Sequence, residues 1–157
     1  MKTTPHIRIA NARDLAYVVD LQRQWSNALG WLPRCAHKRY INAQRVLIAT
    51  FNGQRAGFCN MIISKKGLLR LPQIAISTEL LRQGVGSSLM DSLTGIATAT
   101  RCSAIRLTTR ADLDANLFWP TTGFEMTLMT YPDNARRQPL LEWTQSLMSP
   151  WKRALNA

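Results

Sequence analysis

The period of apolar and polar positions changes several times along the chain, and each change marks an element. Ile7-Arg8-Ile9-Ala10 alternates as a half-buried strand does. From Asn11 or Ala12 to about Trp25, the residues Leu15, Val18, Val19 and Leu21 recur at near-helical spacing. Gly30-Trp31-Leu32-Pro33 breaks that helix, and Pro33 suits the start of a second short one reaching about Asn42. Val46 to Phe51 is a continuous apolar strand, and Asn52-Gly53 is a hairpin-turn dipeptide. The return strand runs from Ala56 to Ser64 and ends in a basic turn, Lys65-Lys66-Gly67. Leu68 to Ser77 is strand-like, but Pro72 cannot donate to a ladder and predicts an edge, a bulge or a break. Ile74-Ala75-Ile76 resumes as a buried strand.

A glycine-containing loop, Arg82 to Ser87, follows. Ser88 to Thr98 then reads as a helix with Leu89, Met90, Leu93, Ile96 and Ala97 on one face. Ala104 to Thr109 is a strand, Asp112 to Trp119 a helix ending near Pro120, and Gly123-Phe124 a turn into a late strand reaching Thr130. Leu140, Leu141, Trp143, Leu147 and Trp151 form an amphipathic set. They predict a C-terminal helical extension over 138–157 that caps the domain or makes a homodimer contact. This order predicts a single α/β domain over 1–157, with one sheet covered by helices.

Composition narrows the class. With 157 residues, 46% of them apolar, the chain can bury an ordinary core. No apolar run approaches the roughly 20 residues that span a bilayer, and the first residues lack the apolar stretch of a signal peptide. A cytoplasmic protein without membrane partners is expected. Cys35, Cys59 and Cys102 lack Cys-x-x-Cys spacing and read as free thiols, with no metal site implied. Net charge is +11, and no acidic residue occurs between Asp20 and Glu79. That stretch holds Arg23, Arg34, Lys38, Arg39, Arg45, Arg55, Lys65, Lys66 and Arg70. Such a field attracts anionic partners, and it equally suits a plain basic surface.

The strand, glycine turn and helix around Arg82-Gln83-Gly84-Val85-Gly86-Ser87 make an anion site. The first N–H groups of a helix lack internal partners, and the helix dipole adds positive charge there. Gly84 and Gly86 let backbone approach a phosphate, and Arg82 adds a cation. The Gly-Lys-Ser/Thr of nucleotide-triphosphate loops is absent, and the third glycine of a dinucleotide fingerprint is missing.

From Ile74 to Leu89 the chain resembles the acetyl-CoA-binding segment of the GNAT superfamily of N-acetyltransferases, whose signature is Gln/Arg-x-x-Gly-x-Gly/Ala. Ala115-Asn116-Leu117-Phe118-Trp119-Pro120-Thr121-Thr122-Gly123-Phe124 resembles a second block of that family. The first strand and helix are also similar, so the resemblance covers a core of about 7–130. It implies a mixed central sheet with splayed parallel strands flanked by helices, and acetyl-CoA as acyl donor. It implies further that backbone groups of Ile74 and Ile76 pair with the pantetheine arm. Arg82, Gln83, Gly84, Val85, Gly86 and Ser87 would then hold the pyrophosphate, and Asn116 would sit beside the pantetheine or thioester. Trp119 lies at the coenzyme side, where many relatives carry a tyrosine that protonates the thiolate; indole donates a hydrogen bond but is no proton-transferring acid. Leu81 stands at the first signature position.

The implied reaction is direct attack of a neutral amine on the thioester carbonyl, polarised by a backbone N–H such as that of Ile76. Glu79, the nearest carboxylate in sequence, is the candidate base, and Tyr131 a candidate distal acid. Gln73 occupies a strand position where some relatives carry a glutamate; it orders water but takes no proton. With Trp31 and Arg34 it forms the candidate substrate side. His37 in the second helix reads more readily as a packing residue. Trp25, Trp31 and Tyr40 interleave with cations, which suits nucleic acid or another anionic, planar acceptor as well as ordinary packing. Two functions remain: an acetyl-CoA-dependent N-acetyltransferase, or a catalytically silent binding module that grips nucleic acid or another anion through its basic half.

Overall fold

The computed structural model describes residues 3–133 and 138–147. They fall into two compact units, the first within Met1–Ile62 and Leu71–Leu93, the second within Ile63–Arg70 and Thr94–Ala157. Strands β1 (His6–Ile9), β2 (Val46–Phe51), β3 (Gln54–Asn60) and β6 (Ile74–Ile76) form one sheet in the order β1-β2-β3-β6. Strands β4 (Ile62–Ile63), β5 (Leu68–Arg70), β7 (Ala104–Arg110), β8 (Glu125–Thr130) and β9 (Leu140–Ser146) form another in the order β4-β5-β7-β9-β8. The helices are α1 (Leu15–Gln24), α2 (Arg34–Asn42) and α3 (Val85–Ala99). The chain is mixed α/β, as its alternating periods predict.

The first unit is antiparallel throughout. The β2–β3 hairpin turns on Asn52 and Gly53, both left-handed at φ 52° and 78°, which is the conformation that dipeptide supplies cheaply. Val18 and Leu21 of α1 and Ile41 of α2 pack with Val46, Ile48, Phe58 and Ala75 from the sheet. Burying each large side chain of that set stabilises the fold by about 1.5–3 kcal/mol. Gly57 lets β3 and β6 lie close: a Cβ there would come within 2.7 Å of the Ala75 carbonyl oxygen.

In the second unit β5 runs parallel to β7, while β9 lies antiparallel between β7 and β8. Here the tail departs from expectation, because Leu140–Ser146 is strand and not helix. Leu141 and Trp143 are buried at period two, opposite Thr109 and Leu107, and β7 offers a partner along all seven residues. A sustained ladder outweighs a weak helical pattern. Positions 148–157, including Trp151 of the expected helix, lie outside the described residues. The expected helix over Asp112 to Trp119 is instead two 3-10 turns, Asp114–Leu117 and Trp119–Thr122. Pro120, which cannot sit inside an α-helix, accounts for the break. Pro72 separates β5 from β6, which belong to different sheets.

Asp14 fixes the entry to α1. Its carboxylate is fully buried and accepts from both terminal nitrogens of Arg8 (2.7 and 2.8 Å), from Arg55 Nε (2.8 Å) and from the Asn11 N–H (2.8 Å). The Arg8 hydrogen bonds, helped by those from Asn11 and Arg55, overcome burial and hold this carboxyl far below the usual range. A depressed folded pKa stabilises above the unfolded value, near 4, and the benefit is lost as pH falls toward the folded one. Asp14→Asn is therefore expected to cost about 3 kcal/mol at neutral pH, the low end for a broken buried pair because both arginines are partly exposed. The gap from wild type in denaturant melts should narrow below about pH 4; a gap independent of pH would contradict this account.

Candidate active site

In an antiparallel pair, successive residues alternate between bonding the partner strand and facing away from it. Asn60 N–H donates to the Gln73 carbonyl at 3.1 Å, and Ser77 N–H to the Ala56 carbonyl at 2.8 Å. The register pairs Phe58 with Ala75, so Gln73, Ala75 and Ser77 direct their backbone at β3. Ile74 and Ile76 direct theirs the other way. Since β6 ends its sheet, those groups lie on an edge left open among the described residues.

Side chains of α1 and of its C-cap residue Trp25 tie this short strand in place. Tyr17 Oη and Ser77 Oγ share a hydrogen bond of 2.8 Å. Burial pushes the Tyr17 phenol up, against that bond and the nearby Arg55, so it stays neutral. Trp25 Nε1 donates to the Ile76 carbonyl at 2.8 Å. Gln73, buried, donates from Nε2 to Gln22 Oε1 at 2.8 Å and to the Gly30 carbonyl. Gln22 also exchanges two hydrogen bonds with the backbone of Leu32, at 2.8 and 2.9 Å. Gly30 and Leu32 are thus pinned, and Trp31 between them is 61% exposed. Arg34, also exposed, opens α2.

Beyond β6 the chain passes through the 3-10 turn Thr78–Leu80, where Glu79 is exposed. Arg82 and Gly84 are both left-handed, at φ 63° and 82°. Val85, buried, anchors the start of α3, and its neighbours Gln83 and Ser87 remain exposed. The first helical bond runs from Ser88 N–H to the Gly84 carbonyl at 3.0 Å. The N–H groups of Val85, Gly86 and Ser87 precede that ladder, and no acidic residue occupies the first turn. This is a cationic end with donors to spare.

The second unit holds the other expected residues. Asn116 accepts from Thr109 Oγ1 (2.6 Å) and Trp143 Nε1 (3.1 Å) and donates to the carbonyls of Arg110 (2.8 Å) and Ala111 (3.2 Å). Its amide has no hydrogen-bonding capacity left over. Trp119 is buried between Phe118 and Phe124, with ring centroids 5.1 and 5.4 Å away. Tyr131 is 72% exposed. His37 is fully buried against Phe58, and burial lowers its pKa, which makes it a neutral packing residue. Gln22 escaped the sequence reading, and Trp25 entered it only as one of the aromatics interleaved with cations; a glutamine inside the apolar stripe of α1 is the one available signal. Among the described residues no group of three or more His, Cys, Asp or Glu is placed to hold a metal ion, and no helix is long and apolar enough to cross a membrane.

Arg82 carries a conformational cost that glycine would not. Arg82→Gly is expected to raise stability by about 1 kcal/mol while weakening affinity for inorganic pyrophosphate. Chemical denaturation and calorimetry check the pair; a variant with lower stability and unchanged affinity would contradict both parts.

The acetyltransferase (GNAT) family model matches residues 9–124, which run through both units. No curated protein sequence matches the chain. Among solved structures, Ard1 from Thermoplasma volcanium superposes with a TM-score of 0.81 at 20% identity, covering 92% of this chain and 99% of that one. The ribosomal-protein-S18-alanine N-acetyltransferase from Escherichia coli gives 0.76 at 18% identity, covering 93% and 96%. YncA from Salmonella typhimurium, solved with its cofactor acetyl-CoA, gives 0.78 at 15% identity, covering 92% and 95%. Identities this low establish a shared fold and no more. With a family model spanning most of the chain and the same fold behind it, the chain belongs to the acetyltransferase (GNAT) family.

Proposed function

We propose that the protein is an N-acetyltransferase that moves an acetyl group from acetyl-CoA to a primary amine by direct attack. The observation that carries this reading is the continuity of the open β6 edge with the cationic start of α3. An extended, amide-bearing arm ending in pyrophosphate matches that sequence of groups. Ile74 and Ile76 would pair with the amides, and Arg82 with the N–H groups of Val85, Gly86 and Ser87 would hold the phosphates. Gln83, Gly84 and Ser87 shape and line the same turn. Acetyl-CoA supplies an activated acyl carbonyl; the chain positions it and polarises it through an edge N–H.

The thiolate departs without a proton in this reading, since Trp119 offers none and a thiol pKa near 8.5 makes a tolerable leaving group. Asn116 contributes through the turn it fastens to β7 and β9. Glu79 serves as base through water, and Tyr131 as a distal acid that protonates the thiolate only after it has left, both reachable from solvent. Trp31, Arg34 and Gln73 border the acceptor, with Trp31 displayed by the pinned loop and Gln73 holding it. Arg34, Lys38 and Arg39 are exposed on α2 and make no ion pair among the described residues, which favours an acidic acceptor, nucleic-acid-linked or protein. The buried amide at Gln73, in place of a carboxylate, favours a second reading, in which the same surface binds an anionic partner without turnover.

Calorimetry with acetyl-CoA, followed by turnover assays across small amines, peptides, tRNA and modified DNA, tests the proposal. Binding is expected in wild type, with affinity lost in Gly86→Glu through bulk and charge repulsion, and turnover with at least one amine whose KM rises with salt. No binding at millimolar acetyl-CoA would refute the acetyltransferase reading. Binding without turnover on any amine would favour the silent module.

A further inference from the structure

One group on the open edge of β6 is already taken. Ile74 and Ile76 present two N–H and two C=O groups outward, and the Ile76 carbonyl accepts the Trp25 indole N–H at 2.8 Å. The edge that remains has two donors, from Ile74 and Ile76, against one acceptor, from Ile74. A bare strand edge would offer equal numbers. Indole nitrogen donates only, so this bond has one polarity and cannot reverse. The ring is half-buried against the core of the first unit, which fixes its position from the other side.

The surplus of donors has a chemical consequence. An amide-bearing arm pairs equally well with donors and acceptors, but an acyl carbonyl seeks donors alone. Beside an uncapped Ile76 carbonyl, an incoming carbonyl oxygen would meet a like partial charge. Trp25 takes up that negative end, and in partly dry surroundings such a term is strengthened. The Tyr17–Ser77 and Gln22–Gln73 bonds fix the strand on either side, so the edge does not rearrange to recover its missing acceptor. The geometry points to Trp25 as a positioning residue for the acyl group: by capping the Ile76 carbonyl it makes the edge selective for an acyl thioester over free coenzyme A. The inference rests on the acetyl-transfer reading and adds to it a residue that discriminates donor from spent product.

The test uses the full chain as wild type, as Trp25→Phe, and with 3-benzothienylalanine at position 25, which keeps the ring outline and replaces the N–H by sulfur. Calorimetry gives affinities for coenzyme A and for acetyl-CoA carrying carbon-13 at the acetyl carbonyl, and infrared spectroscopy gives the bound carbonyl frequency. Wild type should prefer acetyl-CoA and show a carbonyl band below that of the free thioester. Both variants should lose about three- to tenfold more affinity for acetyl-CoA than for coenzyme A, and shift the band back toward the free value. Unchanged preference and band in the variants would overturn the inference. So would equal loss of both ligands, which marks a purely structural tryptophan, or a wild type that does not distinguish them. If wild type binds neither ligand, the acetyl-transfer reading itself fails.

Discussion

Among the described residues strand β6 pairs with another strand along one edge only, and the edge proposed to take the acyl donor depends on keeping it there. A three-residue strand with one partner would ordinarily fray. Close approach to β3 at Gly57 and side chains from α1 and its C-cap residue Trp25 offset that tendency. Tyr17 and Trp25 hold the end of the strand, and Gln22 holds its start through Gln73. The open edge is thereby ordered before any ligand arrives, which is the condition under which backbone donors act on a developing charge at little reorganisation cost.

The clamp works only if α1 is aimed correctly, and its aim is set electrostatically at Asp14. Arg8 from β1, Arg55 from β3 and the Asn11 N–H converge on one buried carboxylate at the helix entry. The same hydrogen-bond economy continues into the loop after α1, where Gln22 substitutes for a strand neighbour of Leu32 and leaves Trp31 outside. Downstream, two left-handed residues and a helix start without acidic neighbours concentrate positive potential at the far end of the edge. The first unit thus carries one neutral, donor-rich stretch followed by one cationic turn.

Much of this was legible from residues alone, and the reasons differ by element. The alternation at Ile7–Ala10, the apolar run at Val46–Phe51 and the Asn52-Gly53 turn are local signals with local causes, and they mark strands and a hairpin found at those places. The glycine turn before α3 is likewise local, since its conformation follows from a few consecutive residues. Tail residues Leu140–Ser146 were misread because Leu140, Leu141, Trp143 and Leu147 fit a helical face as readily as Leu141 and Trp143 fit a strand. Only the presence of β7 alongside decides between the two. Trp25, Gln22 and Asn116 were opaque for a related reason. Their roles lie in bonds to Ile76, to Gln73 and Leu32, and to Thr109, and sequence spacing carries no trace of a hydrogen bond across the fold.

Backbone amide resonances offer the most direct view of the open edge. Ala75 and Ser77 are directed at β3, whereas the N–H groups of Ile74 and Ile76 face outward. In an amide-resolved titration with acetyl-CoA, the resonances of Ile74, Ile76, Val85, Gly86 and Ser87 should shift and their hydrogen exchange should slow, with Ala75 and Ser77 little changed. Saturating acetyl-CoA that leaves Ile74 and Ile76 exchanging as freely as before would contradict the account.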